Sequence, residues 1–355
     1  MLVNTEMAGN ANAGMTVNTE KKTPIIFQGT GSDYFKIWLV NWLLCIVTLG
    51  IYSPWAKVRT KKYFCQHTTI DGTGFDYHAR PIDLLKGRFL MVFFVFLSVF
   101  MNDTIPILYS ILSLASIIII PWFILSAHRF HAKYTSFRGL RFSFVGDIKG
   151  AIQVYGLWPM LVPITLGFIT PLITLKAKQY FGYYHAFGQV NFKTYKTGNN
   201  TFKIMYQKVF FSYLILFLAL TTIMWMLGLL KGGGIWQAII FGIIAFGIIS
   251  TYLMLPTIEN SIWNTLKIHN LTFQSTLCTK EMLVIYSTNS LLTVLTLGFF
   301  TPFAKVRLAK YRAEHLVIIG DIDFSSFTGD SQASNPTNKL TGSLDVGSSF
   351  DIGLG

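Results

Sequence analysis

Apolar positions along this chain are gathered into blocks instead of being sprinkled singly. The blocks run from Phe35 to Tyr52, Phe89 to Met101, Ile105 to Ala127, Ala151 to Leu175, Val209 to Leu230, Ile235 to Pro256 and Met282 to Phe303. Several reach the ~20 residues that a helix needs to cross a bilayer core. Three polar residues, Asn102-Asp103-Thr104, separate the second block from the third, and Lys231-Gly232-Gly233-Gly234 separates the fifth from the sixth. Joints so short predict two helical hairpins. The first arm of the first hairpin spans only if it begins near Leu84, with Lys86 and Arg88 snorkelling to the interface.

Most blocks, or pairs of blocks, are followed by a basic segment and then by alternating residues around a glycine; the exit at 264–273 is the weakest copy, and Gly320-Asp321-Ile322-Asp323-Phe324 replaces the hairpin after the last block. Thr68-Thr69-Ile70-Asp71-Gly72-Thr73-Gly74-Phe75-Asp76-Tyr77 is the clearest of these and predicts a small β-hairpin. The transitions repeat one phrase. Thr48-Leu49-Gly50-Ile51-Tyr52-Ser53-Pro54-Trp55-Ala56-Lys57-Val58-Arg59 returns as Thr296-Leu297-Gly298-Phe299-Phe300-Thr301-Pro302-Phe303-Ala304-Lys305-Val306-Arg307. A worn copy occupies 165–171. Internal similarity of this kind sets architecture. It predicts an all-α polytopic membrane protein of five quasi-repeats, alternately a single apolar run and a hairpin, with exits near 54–78, 121–144, 171–192, 256–273 and 302–324. The short strands are expected to pair into a collar, because a lone hairpin is only marginally stable. Residues 1–24 and 329–355, polar and small, are expected to be disordered tails around a membrane domain at 25–328.

Two topologies stay open. By length, the single runs 35–53, 151–175 and 282–303 cross the bilayer, giving seven crossings and successive inversions. By charge, the exits after Trp55, Ala127, Leu175 and Phe303 are all basic, which places every exit on the cytoplasmic side. The single runs would then be re-entrant, with broken backbone at Gly50–Pro54 and Gly298–Pro302 covered by protein or water.

Composition agrees with a membrane setting. Of 355 residues, 52% are hydrophobic and 13% charged, against about 25% charged in ordinary soluble domains. The net charge of +13 lies between the apolar runs, where it suits anionic lipid head groups and the bilayer surface better than nucleic acid. Cys45, Cys65 and Cys278 have no metal or redox spacing. No apolar segment near the start resembles a cleavable signal, so the first span is expected to serve for insertion.

Candidate chemistry is thin. On one helix, Arg59, Tyr63 and His67 share a face, as do Arg307, Tyr311 and His315, while Lys57 and Arg59 point about 200° apart. Together with Lys57 and Lys305 these residues are the candidate sites for an anion or lipid, and pseudosymmetry would bring the two faces together. Gly50, Pro54, Trp55, Gly298, Pro302 and Phe303 form the structural motif. His128 and His131 lie at metal-ligand spacing but lack acidic partners nearby, so no metal is expected. Asn41 and Asn289 are expected to hydrogen-bond between helices. No nucleophile elbow, HExxH, Walker loop or CxxC occurs, so neither catalysis nor a cofactor is expected.

The residues Gly29-x-Gly31-x-x-Tyr34-Phe35, Val40-Asn41-x-Leu43-Leu44, Thr48-Leu49-Gly50-Ile51-Tyr52-x-Pro54-Trp55 and Lys57-Val58-Arg59 resemble the YjgN family, multi-pass inner-membrane proteins of Gram-negative bacteria built around a domain of unknown function. The resemblance runs from about Phe27 to Phe327 and implies location and broad architecture. The family has no established activity, so it implies no catalytic residue. Thr174 and Leu175 stand where the opening phrase has Lys57 and Val58. Two functions from different classes follow as expectations: handling or transport of a small anionic or amphiphilic substrate, lipid among them, or a scaffold whose collar binds anionic lipid or a protein partner. Oligomeric state is not legible.

Overall fold

The computed structural model describes residues 21–165, 167–194, 201–208 and 252–321, with isolated helical positions between 210 and 222. The tails expected at 1–24 and 329–355 lie outside the described residues, apart from 21–24, which lead into the first strand. Most of the hairpin expected at 209–256 also lies outside them.

Eleven strands form one antiparallel sheet: β1 (Lys22–Phe27), β2 (Thr68–Ile70), β3 (Thr73–Tyr77), β4 (Thr135–Phe137), β5 (Leu140–Phe144), β6 (His185–Phe187), β7 (Val190–Asn191), β8 (Lys193–Thr194), β9 (Leu266–Ile268), β10 (Leu271–Ser275) and β11 (Leu316–Ile319). Their spatial order is β7-β6-β5-β4-β3-β2-β1-β11-β10-β9-β8. The two edge strands are consecutive in the chain, separated by Phe192 alone, so one extended stretch pairs with β6 on one side and β9 on the other. The sheet therefore bends into a ring. Its other seam is β1, which pairs with β11 through Lys22–Pro24 and with β2 through Ile25–Phe27.

Local chemistry explains the hairpins. Asp71 and Gly72 both have positive φ, as do Arg138 and Gly139, the backbone of the tight turn that matches strand twist. Neighbouring hairpins are tied side to side: Arg138 donates to Asp71 Oδ2 at 3.1 Å and to Thr73 Oγ1 at 3.2 Å.

Helices leave the ring and return to it. α1 (Gly31–Val47) folds back as α2 (Ser53–His67), and α3 (Pro81–Thr104) as α4 (Pro106–Tyr134). The third excursion is broken into α5 (Ile148–Ala151), a π-helical turn (Ile152–Leu157), a 3₁₀ turn (Trp158–Met160) and α6 (Leu161–Ile164), and returns as α7 (Thr170–Tyr183). Pro159 and Pro163 lie in those broken pieces and lack the N–H that a continuous ladder needs. Helical residues 201–208 (α8) and 252–265 (α9) belong to the fourth. The fifth is α10 (Thr279–Leu295) with α11 (Thr301–Glu314).

The expected all-α polytopic fold is corrected on two counts. The strands are not a minor collar beside helices; they make an 11-stranded sheet whose inner face is the main core, with Ile25, Phe27, Phe64, Ile70, Phe137, Phe187, Ile268 and Ile318 buried together. And among the described residues only α3, as Pro81–Asn102, and α4 are long and apolar enough to cross a membrane. Their full lengths correspond to roughly 36 and 43 Å. The runs 35–52 and 282–303 are instead broken by the repeated phrase. Hydropathy sums over the phrase as though it were helix, whereas its backbone reverses there.

That reversal has one geometry at both ends of the chain. Leu49 and Gly50 have φ of 51° and 88°, and Leu297 and Gly298 of 50° and 95°. Gly50 N–H bonds the Cys45 carbonyl and Gly298 N–H the Thr293 carbonyl, both at 2.7 Å, the wider bond of a Schellman cap. Thr48 and Thr296 donate back to the helix and accept from Tyr52 and Phe300 N–H. Gly167 also has positive φ, 85°, and bonds Val162. Proline then starts the returning helix at Pro54, Pro171 and Pro302, all buried. Gly298→Ala is expected to lower stability by about 1 kcal/mol, because φ of 95° favours glycine although nothing crowds the site. A thermal melt in detergent reads it.

Candidate functional site

The ring encloses a cavity of about 290 Å³. It is built in layers, to which each helix-to-hairpin junction contributes in the same register. The innermost apolar layer is Ile70, Phe137, Phe187, Ile268 and Ile318, two residues into each first strand. Facing it from the second strands are Phe75, Phe142 and Phe273, with Ile25 from β1 and Phe192 from the closing stretch. Strand alternation explains the layering, since every second side chain points inward.

Above the strands, the ends of the helices form the remaining wall. The positions about two helical turns ahead of each first strand are Lys61, His128, Lys178, Glu259 and Ala309. The first four line the cavity and make a polar girdle over the apolar layers. Lys61 Nζ lies 5.9 Å from the centre of the Tyr77 ring. Tyr77 Oη is 2.8 Å from His131 Nδ1, and Tyr155 Oη is 3.3 Å from His128 Nε2. Glu259 Oε1 accepts from both Lys178 Nζ at 3.2 Å and Arg312 Nη2 at 2.9 Å. Glu259, Lys178 and Arg312 come from α9, α7 and α11, so one carboxylate joins three helical excursions. Arg312 also donates to Tyr286 Oη at 3.2 Å.

None of the eight sequence-predicted anion-site residues lines this cavity. Tyr63 is consumed by structure: its hydroxyl donates to the Thr30 carbonyl at 2.8 Å and accepts from Thr30 N–H at 2.9 Å, clasping the N-cap of α1. Tyr311 does the same at Cys278, the N-cap of α10, accepting from its N–H at 3.0 Å. Tyr180 donates to the Asp147 carbonyl at 2.6 Å, at the N-cap of α5. Burial pushes the Tyr311 phenol up to about 12 and raises that of Tyr63 also, so both remain donors across the ordinary pH range. Tyr63→Phe is expected to cost about 1–3 kcal/mol, as followed by denaturation.

His67 and His315 cap their helices. Each Nδ1 donates to the carbonyl four residues earlier, at 2.8 and 2.9 Å, and each ring packs 4.2 Å from its tyrosine. His185 caps α7 in the same way, on Phe181 at 2.6 Å, and burial lowers it to about 4. Arg59 and Arg307 are exposed and stay within their own hairpins, Arg59 over Tyr52 and Arg307 donating to Thr288 Oγ1 at 2.8 Å. Lys305 is exposed and Lys57 half-buried. Trp55 is half-buried and stacks on Tyr52; Phe303 stacks on Phe300 and packs against Phe35. Asn41 and Asn289 donate to the Ala56 and Ala304 carbonyls of the returning helices, at 3.5 and 3.3 Å. Among the described residues, no three His, Cys, Asp or Glu side chains gather at metal-binding spacing.

Of the girdle, sequence reading singles out His128 but not Lys61, Lys178 or Glu259 as a candidate ligand. The signal for Glu259 is its register, since its place relative to Leu266 matches that of Lys61 relative to Thr68.

A family model described as bacterial protein of unknown function (DUF898) matches residues 22–342. The chain is 34% identical over 143 residues to the protein named Inner membrane protein YjgN of Escherichia coli O157:H7, an alignment covering 40% of this chain and 36% of that protein. The same values hold for the protein of that name in Escherichia coli K12. Its namesake in Salmonella typhimurium is 31% identical over 153 residues, 42% of this chain and 38% of the relative. The chain thus aligns with little more than a third of the length of these relatives. No solved structure matches.

Proposed function

From membership of the DUF898 family, to which this chain belongs, we propose that the protein is an inner-membrane protein that holds a small amphiphilic molecule inside its strand ring. The cavity carries this reading. It combines a deep apolar interior with a few convergent polar groups, the usual make-up of a small-molecule site.

The architecture supports a ring in water and helical excursions in lipid. Leu49 is 94% exposed and Leu297 91% exposed, at the tips of the short hairpins, where contact with acyl chains is the natural cover. The next charges on the returning helices are Lys57 and Lys305, about two turns from those tips. The five quasi-repeats are read as dipping from one side: the short hairpins re-enter, and α3 and α4 cross. Arg59, Lys62, Arg307 and Lys310 lie exposed near the ring, where they suit anionic head groups of the cytoplasmic leaflet. A molecule drawn from that leaflet would lodge its apolar body among the Phe and Ile layers.

Mass spectrometry of lipids carried by the purified chain tests this. One amphiphile per chain is expected, reduced in Gly182→Leu, which adds bulk to the cavity wall. A parent protein that carries none and binds neither dodecyl phosphate nor dodecanol would end the proposal. Cysteines introduced at Gly72, Gly139 and Gly188 are expected to label from the cytoplasmic side only; labelling from opposite faces would end the one-sided reading.

A further inference from the structure

We propose that the girdle is an oxyanion subsite, in which Lys178 contacts the phosphate or carboxylate end of a single-chain amphiphile in exchange for its bond to Glu259. This rests on the cavity reading and names the ligand's polar end.

Three observations lead there. Glu259, Lys178 and Arg312 keep only 5, 20 and 14% of their side-chain surface exposed, and within this trio two cations share one carboxylate. Positive charge so enclosed favours an anion brought to it. Next, the cation that lines the cavity is the lysine, while the arginine stands behind. A lysine swings on a four-carbon stem, whereas a guanidinium holds its partner in a fixed fork. Because both donate to the same oxygen, Lys178 can turn toward a ligand while Arg312 still neutralises Glu259. Finally, Lys61 occupies the corresponding place on α2 and also faces the cavity. The positive groups therefore begin where the apolar layers end, as a molecule with one apolar body and one anionic end requires.

The test uses the full chain in phosphatidylcholine nanodiscs. Trp263 lines the cavity and reports binding by its emission, with Trp263→Phe subtracting the other tryptophans. The probes are dodecyl phosphate, dodecanol and inorganic phosphate. Dodecyl phosphate is expected to bind the parent protein and to lose roughly tenfold or more in Lys178→Met, the effect of one charge-assisted bond. Lys178→Arg is expected to keep affinity within a few fold. Dodecanol is expected to bind the parent and Lys178→Met equally, which shows the cavity intact. Lys178→Gln, which removes the charge but keeps a polar end, is expected to show the same loss, should Lys178→Met fold poorly.

Undiminished dodecyl phosphate binding in both lysine-lacking variants would overturn the subsite and leave the cavity reading in place. Inorganic phosphate alone reproducing the parent's signal would replace it with a free-phosphate site. No response of the parent to either dodecyl compound would overturn both readings.

Discussion

Glu259→Gln is expected to lower stability by about 3–5 kcal/mol, the usual consequence of removing one member of a buried ion pair. The carboxylate is all but enclosed and accepts from two cations on one oxygen. Without it, the Arg312 guanidinium, 14% exposed, stays inside the protein without that neutraliser. Lys178→Met is expected to cost less, because the Arg312–Glu259 pair survives and is neutral. The double variant should then be more stable than the sum of the two losses implies, since both touch one network. Denaturation in detergent, followed by size-exclusion profile, measures all three. A Glu259→Gln protein with an unchanged midpoint would mean that the carboxylate does not join α7, α9 and α11 in the way described.

The second large effect falls on β1. Phe27→Ala is expected to cost about 3–5 kcal/mol, while Ile26→Ala, its exposed neighbour, is expected to stay within about 0.5 kcal/mol. Phe27 is 4% exposed and stacks on Phe64 at 5.6 Å between centroids; Ile26 is 50% exposed. β1 also has partners on both sides, β11 and β2, so a loss there affects the seam where the two ends of the chain meet. Thermal melts of the two variants side by side give the contrast. Equal midpoints would contradict the inward alternation of β1, and with it the closed ring.

Particular residues show what was legible. The phrase around Gly50 and its copy around Gly298 marked a break because glycine, then proline, follows an apolar run; the left-handed backbone at Leu49 and Leu297 is what turned the break into a reversal. Leucine rarely adopts that conformation, so its identity gave no hint. Asn41 and Asn289 were legible as interhelical donors, because an amide among apolar residues needs a partner. A shared helix face is all that marks Tyr63 and Tyr311 as candidate site residues in the sequence. Their hydroxyls reach Thr30 and Cys278, more than thirty residues back, a distance that periodicity does not encode.

Sequence by itself determined the blocks of apolar residues, the recurrence of one exit phrase, the glycine turns of the hairpins and the excess of basic charge around them. All of these are local, written within a few residues of where they act. Tertiary structure alone decided that Lys22–Pro24 meets Val317–Ile319, that one extended stretch after β6 joins both sheet edges, and that Lys178, Glu259 and Arg312 share a single oxygen. Strands of two to six residues carry too little pattern to name their partners. Which strands pair is settled by the closure of the ring, where the edge strands find neighbours and inward side chains such as Ile70, Phe137, Phe187, Ile268 and Ile318 leave water.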